Sequence, residues 1–163
     1  MQGKVDVASL WCIVSHTILT AHSSLHKPIV IQGATKECKI VKNNDAFVDD
    51  TYGYAEAKTC GRDLEKEAVE YLQRKAQSWA RLIAVLGGEI AFHKCMWKVI
   101  GWKYKKFPPT LKTKSKYKVK LTNRGGVHTE ISQLPIDHPN VGLGCRLAPY
   151  GNQKHECSFR LNQ

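Results

Sequence analysis

In the first 25 residues, apolar positions fall at Val7, Leu10, Trp11, Val14, Ile18 and Ala21, the three- and four-residue spacing of one helical face. The pattern predicts a helix from Asp6 to Leu25, with Asp6 as its N-cap and Pro28 closing it. The period then changes. Ile29-Val30-Ile31 and Cys38 to Val41 read as two short strands around Gln32-Gly33, and a third strand centres on Ala46 to Val48. The longest element is a helix from Arg62 to Leu86. Its stripe is Leu64, Ala68, Leu72, Ala76, Trp79, Ile83 and Leu86, with Tyr71 and Leu82 on the flanks. Asp63, Glu65 and Glu67 crowd its first turns and Arg81 lies near its end, as the helix dipole favours. Gly87-Gly88 terminates it. This register puts Trp79 and Ile83 in the core and Arg74 and Arg81 in solvent. Met96 to Tyr104 reads as a strand, Pro108-Pro109 breaks the chain, and the Gly- and Pro-rich last third reads as short strands and turns.

This order predicts an α/β (α+β) layer fold: a mostly antiparallel sheet with two packed helices and a strand-rich C-terminal tail. The 163 residues suit one domain with a real core. The Cys38–Val41 segment and the Phe47 strand are expected in one sheet, with the long helix packed across it.

Charge narrows the choice of partner. With 25 Lys and Arg against 14 Asp and Glu, the formal net charge is +11. That favours a polyanion, nucleic acid first and an anionic membrane surface second; a merely soluble basic protein is the bland alternative. No apolar run reaches the roughly 18 residues of a membrane span. Ser15, His16, Thr17 and Thr20 interrupt the apolar Leu10–Val14 stretch, so it does not read as a signal peptide. The expectation is an intracellular chain, in cytoplasm or nucleus, with no targeting segment and no membrane partner; its oligomeric state stays open. Six cysteines without a C-x-x-C pair read as reduced thiols. Cys12/His16 and His22/His26 have the spacing to hold zinc from one helix face. No second pair completes a four-ligand site, so core or surface positions are expected.

Between Ile90 and Thr129 there is no acidic residue, yet there are ten lysines and Arg124, interleaved with Phe92, Trp97, Trp102, Tyr104, Phe107 and Tyr117. Lys112, Lys114, Lys116, Lys118 and Lys120 alternate. On a strand this places five ammonium groups on one face and Tyr117, Val119 and Leu121 on the other. Such a ladder can track a phosphate backbone, or simply protect a sheet edge. Trp97 and Trp102 fall on opposite strand faces.

The candidate chemistry lies in Asn43–Gly53, NNDAFVDDTYG, where an apolar run stops at adjacent carboxylates. Hard cations such as Mg²⁺ take oxygen ligands, commonly one or two carboxylates plus substrate phosphates. Adjacent Asp residues at a hairpin tip point to opposite faces, so one can bind metal while the other sits beside it. An Asp-rich turn at Thr51-Tyr52-Gly53 is the plainer reading.

Phe47-Val48-Asp49-Asp50 resembles the aromatic-x-Asp-Asp box of reverse transcriptases. Other blocks follow in that family's order. Gln2-Gly3 with Ser9-Leu10-Trp11 is similar to the Gln-Gly loop and helix beside the nucleotide pocket. Gly87-Gly88-Glu89-Ile90 with Lys94-Cys95 and Trp97 resembles the glycine turn and lysine-bearing strand. Leu143-Gly144-Cys145-Arg146-Leu147-Ala148-Pro149 with Gly151 looks like the Leu-Gly hairpin that grips the primer. Together these blocks span nearly the whole chain.

The resemblance implies a retrotransposon RNA-directed DNA polymerase, a nucleotidyltransferase using two-metal chemistry with Mg²⁺ (or Mn²⁺). Its partners would be an RNA template, a DNA primer and dNTP. Asp49 and Asp50 would be the catalytic, metal-binding pair, and Phe47 would precede them on the substrate side. Gln2 and Gly3 would line the nucleotide pocket, and Leu143 and Gly144 would hold the primer. Lys94 either sits near the triphosphate and helps pyrophosphate leave or is one more surface lysine. Lys114, Lys116 and Lys118 would contact the nucleic-acid backbone.

Within a single partial domain, residues 1–104 would be palm, 105–125 a basic linker or strand, and 126–163 the primer-grip-like hairpin and the start of a thumb. The family's first metal-binding Asp and its fingers lie upstream of the Gln-Gly loop, so the piece by itself is expected to be inactive. Lys4 to Ala8 stand where small residues are usual, and Tyr150 where an acidic turn residue is common. Two other classes remain: a non-enzymatic basic nucleic-acid-binding module, and a nuclease, for which no Glu or His cluster completes a site.

Overall fold

The structure, a computed structural model, describes residues 5–33, 35, 37–47, 50–57, 63–104, 107–112, 114–142, 145–147, 157 and 158. In chain order the elements are α1 (Val5–Leu25), β1 (Ile29–Gln32), β2 (Lys39–Lys42), β3 (Asn44–Phe47), β4 (Asp50–Gly53) and α2 (Leu64–Val85). A 3-10 turn (Phe92–Lys94), β5 (Met96–Trp97), β6 (Trp102–Lys103) and β7 (Thr110–Leu111) follow. The last are β8 (Val119–Thr122), β9 (His128–Gln133), β10 (Asn140–Gly142) and β11 (Cys145–Leu147). Two helices and several small, mainly antiparallel sheets make this a mixed α+β structure. The chain divides into two compact units, Met1–Ala91 with Val119–Thr129, and Phe92–Lys118 with Glu130–Gln163.

In the first unit both helices form where the apolar period placed them. α2 begins after Asp63, whose carboxylate accepts the Lys66 N–H at 3.1 Å as an N-cap. It stops at Gly87, which takes φ +82°, a conformation that suits glycine. Asp6 falls inside α1 instead of capping it. Among the described side chains, the predicted α1 stripe is buried only at Ile18. Its neighbour one turn on is the buried His22, whereas Leu10, Trp11 and Ala21 are exposed. The buried positions among the described α1 side chains, Ile18 and His22, therefore lie in its C-terminal half. Among the described residues, Ile18, Val69, Ala80, Val119 and Leu121 are the buried apolar residues of this unit, each stabilising it by about 1.5–3 kcal/mol where the side chain is large.

The expected single sheet is replaced by two separate hairpins. β2 pairs antiparallel with β1, Val41 opposite Val30, and β3 pairs with β4, Asn44 opposite Gly53. Asn43 makes the break. Its amide donates to the carbonyls of Ser23 (3.1 Å) and His26 (3.2 Å) at the end of α1, pulling the chain out of one continuous ladder. At the β1–β2 turn, Gly33 donates its N–H to the Cys38 carbonyl at 2.6 Å. A Cβ there would lie 2.7 Å from that of Cys38, so the close approach requires glycine.

In the second unit the expected Met96–Tyr104 strand is two pieces. β5 runs parallel to the end of β9, whereas β6 pairs antiparallel with β7, so the chain changes partner between residues 98 and 101. Trp97 is buried and donates its indole N–H to the Ile131 carbonyl at 3.2 Å; Trp102 is exposed. Ile131 and Ile136 complete the buried set of this unit. β10 and β11 form an antiparallel hairpin, Gly142 opposite Cys145.

Candidate functional site

The aspartate box folds as part of a tight hairpin. Phe47 ends β3 opposite Asp50, the first residue of β4, and the connecting Val48 and Asp49 lie outside the described residues. The reversal therefore comes before Asp50, and Gly53 is not the turn but the last residue of the return strand. Asp50 is exposed and pairs with no cation among the described residues. The neighbouring carboxylate, Asp45, is already engaged. Lys42 Nζ holds its two oxygens at 2.7 and 2.9 Å, and the Tyr54 hydroxyl donates to Oδ2 at 2.7 Å. Those bonds, Lys42 first, hold the Asp45 carboxyl below its usual range. Burial, then the bond to Asp45, pushes the Tyr54 phenol up to about 12. Among the described residues, no group of three or more His, Cys, Asp or Glu is gathered as a metal site. Exposed Asp50 offers the carboxylate oxygen chemistry that Mg²⁺ prefers.

The other expected residues are dispersed. Gln2, Gly3, Leu143 and Gly144 lie outside the described residues, although β10 and β11 on either side of Leu143-Gly144 do pair as a hairpin. Lys94 is exposed at the end of the 3-10 turn, in the second unit. The lysine ladder is not one strand. Strand pairing begins only at Val119, and Lys112, Lys114 and Lys116 stand in irregular chain. The alternation does hold from Lys118 to Leu121, with both lysines exposed and Val119 and Leu121 buried. Lys118 is paired with Glu130 at 2.9 Å, and Lys116 Nζ lies 4.9 Å from the centre of the Tyr117 ring. Lys114 is exposed.

A buried polar cluster, which periodicity did not reveal, organises the first unit. Lys75 on α2 is 1% exposed. Its ammonium donates to the Asn43 carbonyl (2.7 Å), the Asn43 side-chain oxygen and the Tyr54 carbonyl (2.9 Å). The Lys75 carbonyl in turn accepts from His22 Nε2 at 2.9 Å and from the Ser78 hydroxyl at 2.8 Å. A carbonyl can only accept, so His22 carries its proton on Nε2, and its Nδ1 accepts from the Asn44 amide at 2.9 Å. His26 donates to the Ser78 oxygen at 2.5 Å. The two rings lie 4.7 Å apart, with Trp79 edge-on to His22 at 5.2 Å. Burial first, reinforced for His26 by the His22 and Lys75 charges, lowers both histidine pKa values. The His22/His26 spacing thus serves the core and not a metal. Lys75 lies one residue before Ala76 of the expected stripe and carried no sequence signal.

The same helix borders a groove of about 750 Å³, entirely within the first unit. Gln73, Arg74, Gln77, Ser78 and Arg81 of α2 line one side, and Lys120, Thr122 and His128 line the other. The glutamines fix its geometry by completing the hydrogen bonds of β8. Gln73 Oε1 accepts from the Lys120 N–H at 3.1 Å; Gln77 accepts from the Thr122 N–H at 2.7 Å and donates to the Thr122 carbonyl at 2.9 Å. A helix side chain thus covers a strand edge that would otherwise be open. Arg74 and Arg81 are exposed as expected, but both face this groove. The polar row at 73/74, 77/78 and 81, recurring in each turn, was the signal available in the sequence.

The fold and these surfaces define a basic α+β protein with a cationic groove and an aspartate-bearing hairpin. Compared with protein-family models, curated proteins and solved structures, the chain matches none. No helix among the described residues is long and apolar enough to cross a membrane.

Proposed function

We propose that this chain is a piece of an RNA-directed DNA polymerase of the retrotransposon type, acting on an RNA template and a DNA primer and inactive by itself. One observation supports it above the rest. Phe47 of β3 pairs with Asp50 of β4 at the end of the ladder, so the Asp50 carboxylate stands where two paired strands end. Asp49 and Asp50 are the residues that would hold Mg²⁺ or Mn²⁺, and the ions would supply charge stabilisation at the attacking and leaving oxygens of nucleotidyl transfer. The chain's own contribution is to present those oxygens from a braced hairpin, with Asp45 withdrawn into its pair with Lys42 and so not competing for the cation.

The test is a Mn²⁺ titration followed by loss of the free-ion resonance signal. Binding at about the millimolar level is expected, because one or two carboxylates without substrate phosphates make a weak site. Asp49→Asn with Asp50→Asn should remove it; binding that survives both changes overturns the assignment. A second reading, a non-enzymatic nucleic-acid-binding module, is favoured by the unpaired cations of the α2–β8 groove.

A further inference from the structure

We propose that the groove between α2 and β8 seats the sugar-phosphate backbone of a nucleic-acid strand, through Arg74, Arg81 and Lys120. The choice of nucleic acid as partner rests on the reading above, but none of the residues that line the groove is assigned to the aspartate chemistry. Three observations converge on it.

The first is uncompensated charge. Three cations and His128 line the groove, no carboxylate does, and among the described residues neither Arg74, Arg81 nor Lys120 has an acidic partner. Three lysines outside the groove are paired: Lys42 with Asp45, Lys66 with Glu70 and Lys118 with Glu130. Three cations left unpaired in one concavity favour an anion brought from outside.

The second is spacing. Arg74 and Arg81 are seven residues apart on one helix, about 10.5 Å along its axis. One strand of a duplex presents a phosphate about every 3.4 Å of axis, so roughly three phosphates fit that length. A single small anion would leave one end of the row unused.

The third is preorganisation. Gln73 and Gln77 are held by β8, and Ser78 by His26 and Lys75, so the wall between the cations is fixed before any ligand arrives. The Arg74 guanidinium lies 5.7 Å from the centre of the Tyr71 ring, which limits its wandering. Contacts to phosphate and sugar carry no base information, so binding through the backbone should be indifferent to sequence.

Fluorescence anisotropy with a labelled single-stranded oligonucleotide, RNA and DNA in separate titrations, tests this across a salt series. Arg74→Gln, Arg81→Gln and Lys120→Gln together should flatten the log–log salt slope by about 2–3 units, at roughly 0.7–0.9 per phosphate contact. Between about 50 and 200 mM salt, the natural chain should then lose about 20- to 40-fold more affinity than the variant. All three side chains are exposed, so the variant should melt as the natural chain does. Arg74→Lys with Arg81→Lys, which keeps the charge, should retain the slope.

A control that removes as many charges outside the groove, Lys27→Gln, Lys39→Gln and Lys103→Gln, should flatten it much less. An unchanged slope in the groove variant, or an equal change in the control, overturns the proposal. So does a groove variant that loses binding to phosphatidylserine vesicles while keeping the oligonucleotide. Mn²⁺ binding at the aspartate hairpin is read separately. Its loss with the groove result intact would remove the polymerase reading alone, and the reverse would remove only the groove.

Discussion

Replacing Lys75 by Met tests the account of the first unit most directly. Lys75 is 1% exposed on a helix that otherwise reads as an ordinary amphipathic one, and its ammonium reaches three acceptors on Asn43 and Tyr54. Methionine matches its length and removes every donor. The Asn43 carbonyl keeps one partner, the Tyr54 N–H at 3.3 Å, whereas the Tyr54 carbonyl and the Asn43 side-chain oxygen lose the ammonium. An orphaned buried acceptor costs about 1–3 kcal/mol, and the relief of no longer burying a cation offsets part of the total. The expected net loss is about 3 kcal/mol, equivalent to a fall in Tm of roughly 6–12 °C for a chain of this size. Urea unfolding followed by far-UV circular dichroism measures it. Arg74→Met on the same helix, at an exposed position, should stay within about 0.5 kcal/mol. Asn43→Ala combined with Lys75→Met should cost less than the two singles summed, because both remove the same bonds. Equal losses for Lys75→Met and Arg74→Met would refute the reasoning.

Acidification should destabilise the chain. The folded pKa values of His22 and His26 are lowered, so the unfolded state binds their protons first, and stability is full above about pH 6.5 and falls as pH drops through it. A urea midpoint that holds steady or rises between about pH 7.5 and 5.5 would contradict this. Gly33→Ala should force the β1–β2 turn apart, costing about 1–3 kcal/mol, read as lost hydrogen-exchange protection at the Gly33 amide; intact protection would mean the turn accommodates a side chain. Tyr54, with its phenol at about 12, should titrate above ordinary tyrosines near pH 10 in a spectrophotometric titration, and Asp45→Asn should lower it only in part, because burial is the larger cause. Changing Lys114, Lys116 and Lys118 to Gln should flatten the oligonucleotide salt slope by less than three full contacts, since Lys118 is already paired with Glu130.

What could be read from the sequence alone is what local physics decides. The span of α2 follows from its apolar period, from Asp63 at the start and from Gly87, with its positive φ, at the end. The β1–β2 hairpin follows from two β-branched runs around Gln32-Gly33. The mixed α+β class follows from the order of those elements. Each depends on residues a few positions apart.

The tertiary structure decided the rest, because it depends on residues that meet from far along the chain. Nothing near Lys75 announces that a lysine will be buried; that requires the Asn43 and Tyr54 oxygens, brought to α2 by the bend after β2. His22 and His26 had a metal-like spacing, and the α2 carbonyl and hydroxyl they meet make them core residues instead. The lysine ladder was a perfect alternation that forms a strand only where Val119 and Leu121 find a core to enter. Arg81 and Lys120, 39 positions apart in the chain, face one groove because the Gln77 amide binds the Thr122 backbone. Periodicity sets which face of an element is apolar, but which polar groups that face meets depends on distant partners.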